Sequence, residues 1–147
     1  MSYTYQYPRP AVCADAIIVA KENGSISILL IKRKNNPYKG KWALPGGFVD
    51  MDEDLPDACM RELKEETGLE GIALHQFASF GKPGRDPRGR TISVVYWGII
   101  YTKLTLSAND DAAEAQWFEL NSLPPLAFDH QKIIEKFLAD KTNLFSS

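Results

Sequence analysis

Glu62, Glu65 and Glu66 stand within five residues of one another, directly after Arg61. A helix over residues 61–67 puts the three carboxylates on one face, because positions three and four apart are surface neighbours on a helix. Acids this close repel, and without a counter-ion at least one takes up a proton. A divalent cation removes the conflict. Oxygen-only donors suit Mg²⁺, with Mn²⁺ as the alternative, and Mg²⁺ completes its shell with water and substrate phosphate. The expected substrate therefore carries phosphate. The competing reading is a solvated acidic helix face in which Arg61 and Glu65 make an ordinary i, i+4 salt bridge.

The acids belong to a longer pattern. Gly47, Glu53, Arg61, Glu62, Leu63, Glu65, Glu66, Gly68 and Leu69 are set with five residues between Gly47 and Glu53 and seven between Glu53 and Arg61. This fills every fixed position of the Nudix box, and the chain resembles the Nudix hydrolases. That resemblance implies an α/β fold, an α/β/α sandwich around a mixed β-sheet. It also implies hydrolysis of a nucleoside diphosphate linked to another moiety, with water attacking one phosphorus. Metal ligands would be Glu62, Glu65, Glu66 and the carbonyl of Gly46, the residue just before the first glycine of the box. Glu53 would support the ligands from outside, and Arg61 would orient a carboxylate through its planar fork. For the general base, Glu62 is the first choice. Glu114 is the second, since Asp110-Asp111-Ala112-Ala113-Glu114 reads as an acidic loop before Trp117-Phe118, where many family members place an extra ligand.

Substrate choice must come from outside the box. Phe80-Gly81-Lys82-Pro83-Gly84-Arg85-Asp86-Pro87-Arg88-Gly89-Arg90 is a Gly- and Pro-rich loop with three arginines in six residues. Arg85, Arg88 and Arg90 offer planar forks for phosphate, and Asp86 can fix one of them. On composition alone the loop also reads as a solvated turn. Its run into Ser93-Val94-Val95-Tyr96 resembles ADP-ribose pyrophosphatases and the Nudix half of NAD-metabolism regulators, as do Tyr7-Pro8-Arg9-Pro10 and Leu126-Ala127-Phe128-Asp129-His130. The resemblance therefore favours ADP-ribose, cleaved to AMP and ribose 5-phosphate. The aromatic candidates for stacking on a base are Tyr38, Trp42, Phe48 and Phe80, with Phe48 and Phe80 foremost. His130 is a further polar candidate. A nucleoside triphosphate pyrophosphatase and a non-catalytic ADP-ribose sensor are the alternatives. The regulators carry a DNA-binding domain after their Nudix part, and none is expected after the helix that carries residues 133–138.

These groups need a scaffold. Asp54 is the expected N-cap of the acidic helix, with Asp57 three residues on, Pro56 in the first turn and Gly68 at the stop. Leu55, Cys59 and Leu63 form its buried stripe. Residues 12–20 and 26–33 read as strands joined at Asn23-Gly24, a hairpin signal. Residues 42–44, 72–80, 91–101 and 116–119 add further strands. A second helix carries Ile133, Ile134, Phe137 and Leu138 at helical spacing, with Asp129 as expected N-cap. Leu44-Pro45-Gly46-Gly47 is expected to be an irregular loop folding back over the acids.

At 147 residues the chain suits a single Nudix domain over residues 1–147, burying about 68–70% of its unfolded surface. Cys13 and Cys59 read as buried thiols, which suits a reducing cytoplasm. A net charge of −2 and a pI near 5.7 give no footprint for nucleic acid, so no such partner is expected. No segment is long and apolar enough to predict a membrane partner. The resemblance implies a homodimer, as is common among ADP-ribose hydrolases of this kind, in which the aromatic stretch 3–7 would either cover a neighbour or fray as a tail.

Overall fold

Asn23 and Gly24 take φ values of 52° and 77°, the left-handed pair that turns β1 (Ala11–Glu22) tightly into β2 (Ser25–Arg33). The structure is a computed structural model and describes residues 2–108 and 112–145. β1 and β2 pair only from Val19↔Ile28 to Glu22↔Ser25. Beyond that point they splay, and two short strands enter the fork: β3 (Trp42–Ala43) lies against β2, and β4 (Gly46–Phe48) against β1. The other edge of β1 pairs in parallel with β6 (Thr91–Ile100) along its whole length. β5 (His75–Phe80) flanks β6, and β7 (Ala112–Glu119) takes the free edge of β2, both antiparallel.

β1 is buried on both faces and divides its side chains between two cores. Ala14, Ala16 and Ile18 pack with Ala58, Cys59 and Leu63 of α1 (Leu55–Thr67). Ile17 and Val19 pack with Ile133, Ile134 and Phe137 of α2 (His130–Asp140). One helix per face makes the expected α/β/α sandwich. Both cysteines are free and buried, and burial pushes each thiol up to about 12. Among the described residues no helix is long and apolar enough to cross a membrane.

α1 begins as its sequence suggests: the Asp54 carboxylate accepts the Leu55 N–H at 2.8 Å. It ends at Gly68, whose φ of 80° lets its N–H return to the Lys64 carbonyl. α2 departs from expectation. Asp129 makes no capping bond, because both of its carboxylate oxygens accept from Arg85, a stronger, charge-assisted partnership. The strand expected over residues 72–80 starts only at His75. Ile72 joins the α1-side core, and its neighbour packs on bare backbone, where a Cβ at Gly98 would lie 2.7 Å from the Ala73 carbonyl oxygen. β7 starts at Ala112 rather than at residue 116, because it follows β2 down to Arg33. Gly46 and Gly47, expected within an irregular loop over residues 44–47, instead open the strand β4.

Candidate active site

The fork between β1 and β2 positions the Leu44-Pro45-Gly46-Gly47 segment. The Pro45 carbonyl accepts the Ala16 N–H at 2.8 Å, and the Gly46 N–H donates to Glu66 Oε1 at 2.7 Å. Both glycines are required by close approach. A Cβ on Gly46, whose φ is 154°, would lie 2.0 Å from Asp15 Oδ1, and one on Gly47 would lie 2.6 Å from the Glu62 carboxyl carbon. β4 therefore lies directly on the acids of α1.

Arg61 gathers the carboxylates around that contact. Its Nε donates to Glu53 at 2.7 Å, its Nη1 to Glu62 at 2.9 Å and Glu65 at 3.4 Å, and its Nη2 to the Phe48 carbonyl at 3.2 Å. The Arg61 hydrogen bonds hold the Glu53 carboxyl down to about 2, and the acids in turn raise the guanidinium pKa. Glu62 and Glu66, both buried, line an outer cavity of about 380 Å³. Glu65 is half-exposed and not part of that lining. Among the described residues, no three His, Cys, Asp or Glu side chains are grouped around one metal position.

A smaller inner cavity, about 60 Å³, opens between the fork and the arginine loop. Asp15, Glu66 and His130 line it together with Arg85 and Arg88. Arg85 is committed to Asp129, donating through Nε at 2.9 Å and Nη2 at 2.7 Å. Asp86, buried, accepts from Arg88 Nε and Nη2 at 3.1 and 2.8 Å and from the Arg88 backbone N–H at 2.9 Å. The Arg88 guanidinium also stacks over Phe48 at 4.7 Å and Phe128 at 5.2 Å. Arg88 and Phe48 line both cavities.

Other expected residues lie elsewhere. Arg90 is exposed and lines neither cavity. Phe80 packs on the α2-side core beside Phe77, because its place on β5 turns the ring toward apolar neighbours. Trp42 is likewise in that core, edge-on to Phe118. Glu114 sits opposite Lys32 across the β2–β7 ladder, exposed, with a 3.6 Å ion pair to it, and lines neither cavity. Its companions Asp110 and Asp111 lie outside the described residues. His130 Nδ1 accepts the Leu44 N–H at 3.0 Å, and burial pushes the imidazole down to about 4, so it serves as a neutral acceptor.

Asp15 and Arg33 were not singled out from the sequence, and Ser93 and Phe128 stood only within segments quoted for a resemblance, with no role of their own. Asp15 is buried and its carboxyl is pushed up to about 6 by that burial, with the Ser93 hydroxyl donating to it. An acid inside the otherwise apolar run of residues 11–20 was the available signal.

Residues 9–139 match the NUDIX domain family. The chain is 51% identical over 133 residues to an ADP-ribose pyrophosphatase of Methanocaldococcus jannaschii, covering 90% of this chain and 75% of that protein. It superposes with a TM-score of 0.85 and 29% identity on the NUDIX domain of Shewanella oneidensis NrtR in complex with ADP ribose, covering 91% of this chain and 90% of that one. A bifunctional NMN adenylyltransferase/ADP ribose pyrophosphatase from Francisella tularensis, solved with AMP and a Mn ion, gives a TM-score of 0.80 at 31% identity. That match covers 92% of this chain and 43% of the bifunctional one. With the box filled, the sandwich formed and its acids against the glycine strand, the chain belongs to the Nudix hydrolase family.

Proposed function

We propose that the chain hydrolyses ADP-ribose to AMP and ribose 5-phosphate. The observation that carries this reading is one cavity with the buried acids Glu62 and Glu66 in its lining, and Arg88 in the same lining. The 51% identity to an ADP-ribose pyrophosphatase supports the choice of substrate.

Glu62, Glu65, Glu66 and the Gly46 carbonyl would hold Mg²⁺ or Mn²⁺. The donors fit such an ion in kind, all being oxygens, and the missing Cβ of Gly47 keeps space beside the Glu62 carboxylate; closing round one ion would require Glu62 and Glu65 to turn from Arg61. When bound, the cation supplies charge that polarises the phosphoryl oxygens and shields the leaving phosphate.

The protein's own groups divide the remaining work. Arg61 orients Glu62 and Glu65 through its hydrogen bonds at 2.9 and 3.4 Å. Glu62 takes the proton of the attacking water, whose oxygen bonds to one phosphorus as the bridging P–O bond breaks. Glu114 is the lesser choice of base, being exposed and engaged with Lys32. Arg88, fixed by Asp86, meets the substrate phosphates, and Phe48, with 41% of its surface exposed, offers a ring face to the base.

Mass-spectrometric identification of products from ADP-ribose, NADH, diadenosine polyphosphates and nucleoside triphosphates, with Mg²⁺ present, tests this directly. AMP and ribose 5-phosphate from ADP-ribose are expected. Preference for triphosphates would overturn the substrate, and tight ADP-ribose binding without turnover would make the chain a sensor.

A further inference from the structure

We infer that Arg33, at the end of β2, is a second anion-binding arginine of this site and that Arg33 and Arg88, both stacked on Phe128, grip the two phosphates of a diphosphate. The inference deepens the hydrolase reading and rests on it for the identity of the ligand.

Three of the arginines around the cavities are already engaged with acids. Arg61 holds Glu53, Glu62 and Glu65, Arg85 holds Asp129, and Arg88 holds Asp86. Arg33 differs. Its Nε donates to the Pro37 carbonyl at 2.7 Å, and among the described residues no carboxylate lies within ion-pair distance of its guanidinium. It is half-buried and lines both cavities, as Arg88 does. Burial and then the charge of Arg88 both lower its pKa, so the site disfavours a cation that it nonetheless holds in place.

The ring of Phe128 explains how two cations come to share this space. Phe128 adopts φ 53°, a left-handed conformation that a bulky residue rarely takes. Its ring carries the Arg33 guanidinium at 4.9 Å and the Arg88 guanidinium at 5.2 Å, with Tyr38 edge-on at 4.8 Å. Tyr38 is also left-handed, at φ 62°. Strain concentrated in two touching aromatics persists when the surroundings enforce it, and such strain clusters at ligand clamps. Arg88 gives Nε and Nη2 to Asp86, and among the described residues its Nη1 and both Nη groups of Arg33 have no hydrogen-bond partner. Two cations with spare planar donors match two linked phosphates better than one carboxylate.

Equilibrium binding of α,β-methylene-ADP, AMP and adenosine to the full chain with Mg²⁺, for wild type, Arg33→Gln and Arg33→Lys, tests the assignment. Arg33→Gln should weaken α,β-methylene-ADP about tenfold to a hundredfold, the worth of a charge-assisted hydrogen bond or two. Adenosine binding and Tm should not move, and Arg33→Lys should recover part of the loss. In ADP-ribose turnover the same variant should raise KM and leave kcat within a few fold. Equal weakening of adenosine and α,β-methylene-ADP, a fall in Tm that Arg33→Lys does not repair, or unchanged diphosphate binding would each overturn it. If wild type binds α,β-methylene-ADP through Arg33 yet leaves ADP-ribose intact, the anion seat stands and the hydrolase reading falls.

Discussion

Arg61 and Arg85 are both arginines bound to carboxylates, and they do opposite things. Arg61 spreads one charge over Asp50, Glu53, Glu62 and Glu65 at 3.7, 2.7, 2.9 and 3.4 Å, near the surface. Arg85 gives two parallel hydrogen bonds to Asp129 alone, and its side chain is only 5% exposed. A shared, solvent-screened cation lets its partners turn to a new ligand at little cost. A buried one-to-one pair does not, because separating it strands a charge away from water. One face of the site is therefore built to rearrange and the other to stay fixed.

The largest test falls on the rearranging face. Glu65→Gln or Glu66→Gln should lower kcat about a thousandfold, roughly 4 kcal/mol of barrier, while Tm stays close to wild type. Folding is spared because a Gln at 66 can still accept the Gly46 N–H, and removing one negative charge relieves crowding. Steady-state kinetics beside thermal melts would decide it, and full activity in either variant would refute the role of these acids.

On the fixed face, Arg85→Ala should destabilise the fold by about 3 kcal/mol, since Asp129 loses both hydrogen bonds. Arg85→Met with Asp129→Leu should recover most of that in chemical denaturation. A double variant no more stable than Arg85→Ala would mean that the pair is not acting as a buried ion pair.

Two buried groups of the inner cavity should titrate in opposition. His130 is pushed down to about 4 from 6.5, so its share of stability is complete above pH 6.5 and is lost as pH falls toward 4. Asp15 is pushed up to about 6 from 3.8, so its share is complete below pH 3.8 and is lost as pH rises through 6. Each swing is on the order of 3 kcal/mol, and between pH 4 and 6 they offset. Asp15→Asn should thus make Tm fall steeply on acidification through that window, and His130→Asn should make it rise. Glu53, held at about 2 from 4.5, loses its contribution only as pH falls below 4.5. Parallel Tm–pH curves for the two variants would break the assignment.

The smallest stability effect is expected at Arg61. Arg61→Gln should cost less stability than Arg85→Ala, because the Arg61 side chain is 29% exposed where that of Arg85 is 5%. Its activity should nonetheless drop by about tenfold or more, because Glu62 and Glu65 lose their common anchor. A stability loss as large as that of Arg85→Ala would erase the contrast between the two arginines.

Local features were legible because neighbours in the chain create them. The three box glutamates, the Asp54 cap, the Gly68 stop and the Asn23-Gly24 hairpin all act within a few residues, where helix and turn geometry decides the contacts. The arginine loop showed its charge but not its allocation. Arg85 meets Asp129 44 positions away, which took the cap from α2, while Arg90 remains outside and Phe80 turns into the core. Helix-dipole and capping preferences are worth about 1 kcal/mol, less than a buried bidentate pair withholds, so the distant partner won.

What the residue order carried unaided was the acid-bearing helix, its caps and the chemistry of oxygen donors facing phosphate, since each follows from spacing of three or four residues. The assembly of Asp15, Arg33, Phe128 and His130 around one cavity, with Ser93 donating to Asp15, came from the splayed β1–β2 fork and the parallel β1–β6 pairing. Those contacts join segments far apart in the chain, and removal from water, not local propensity, selects which polar groups are left to meet there.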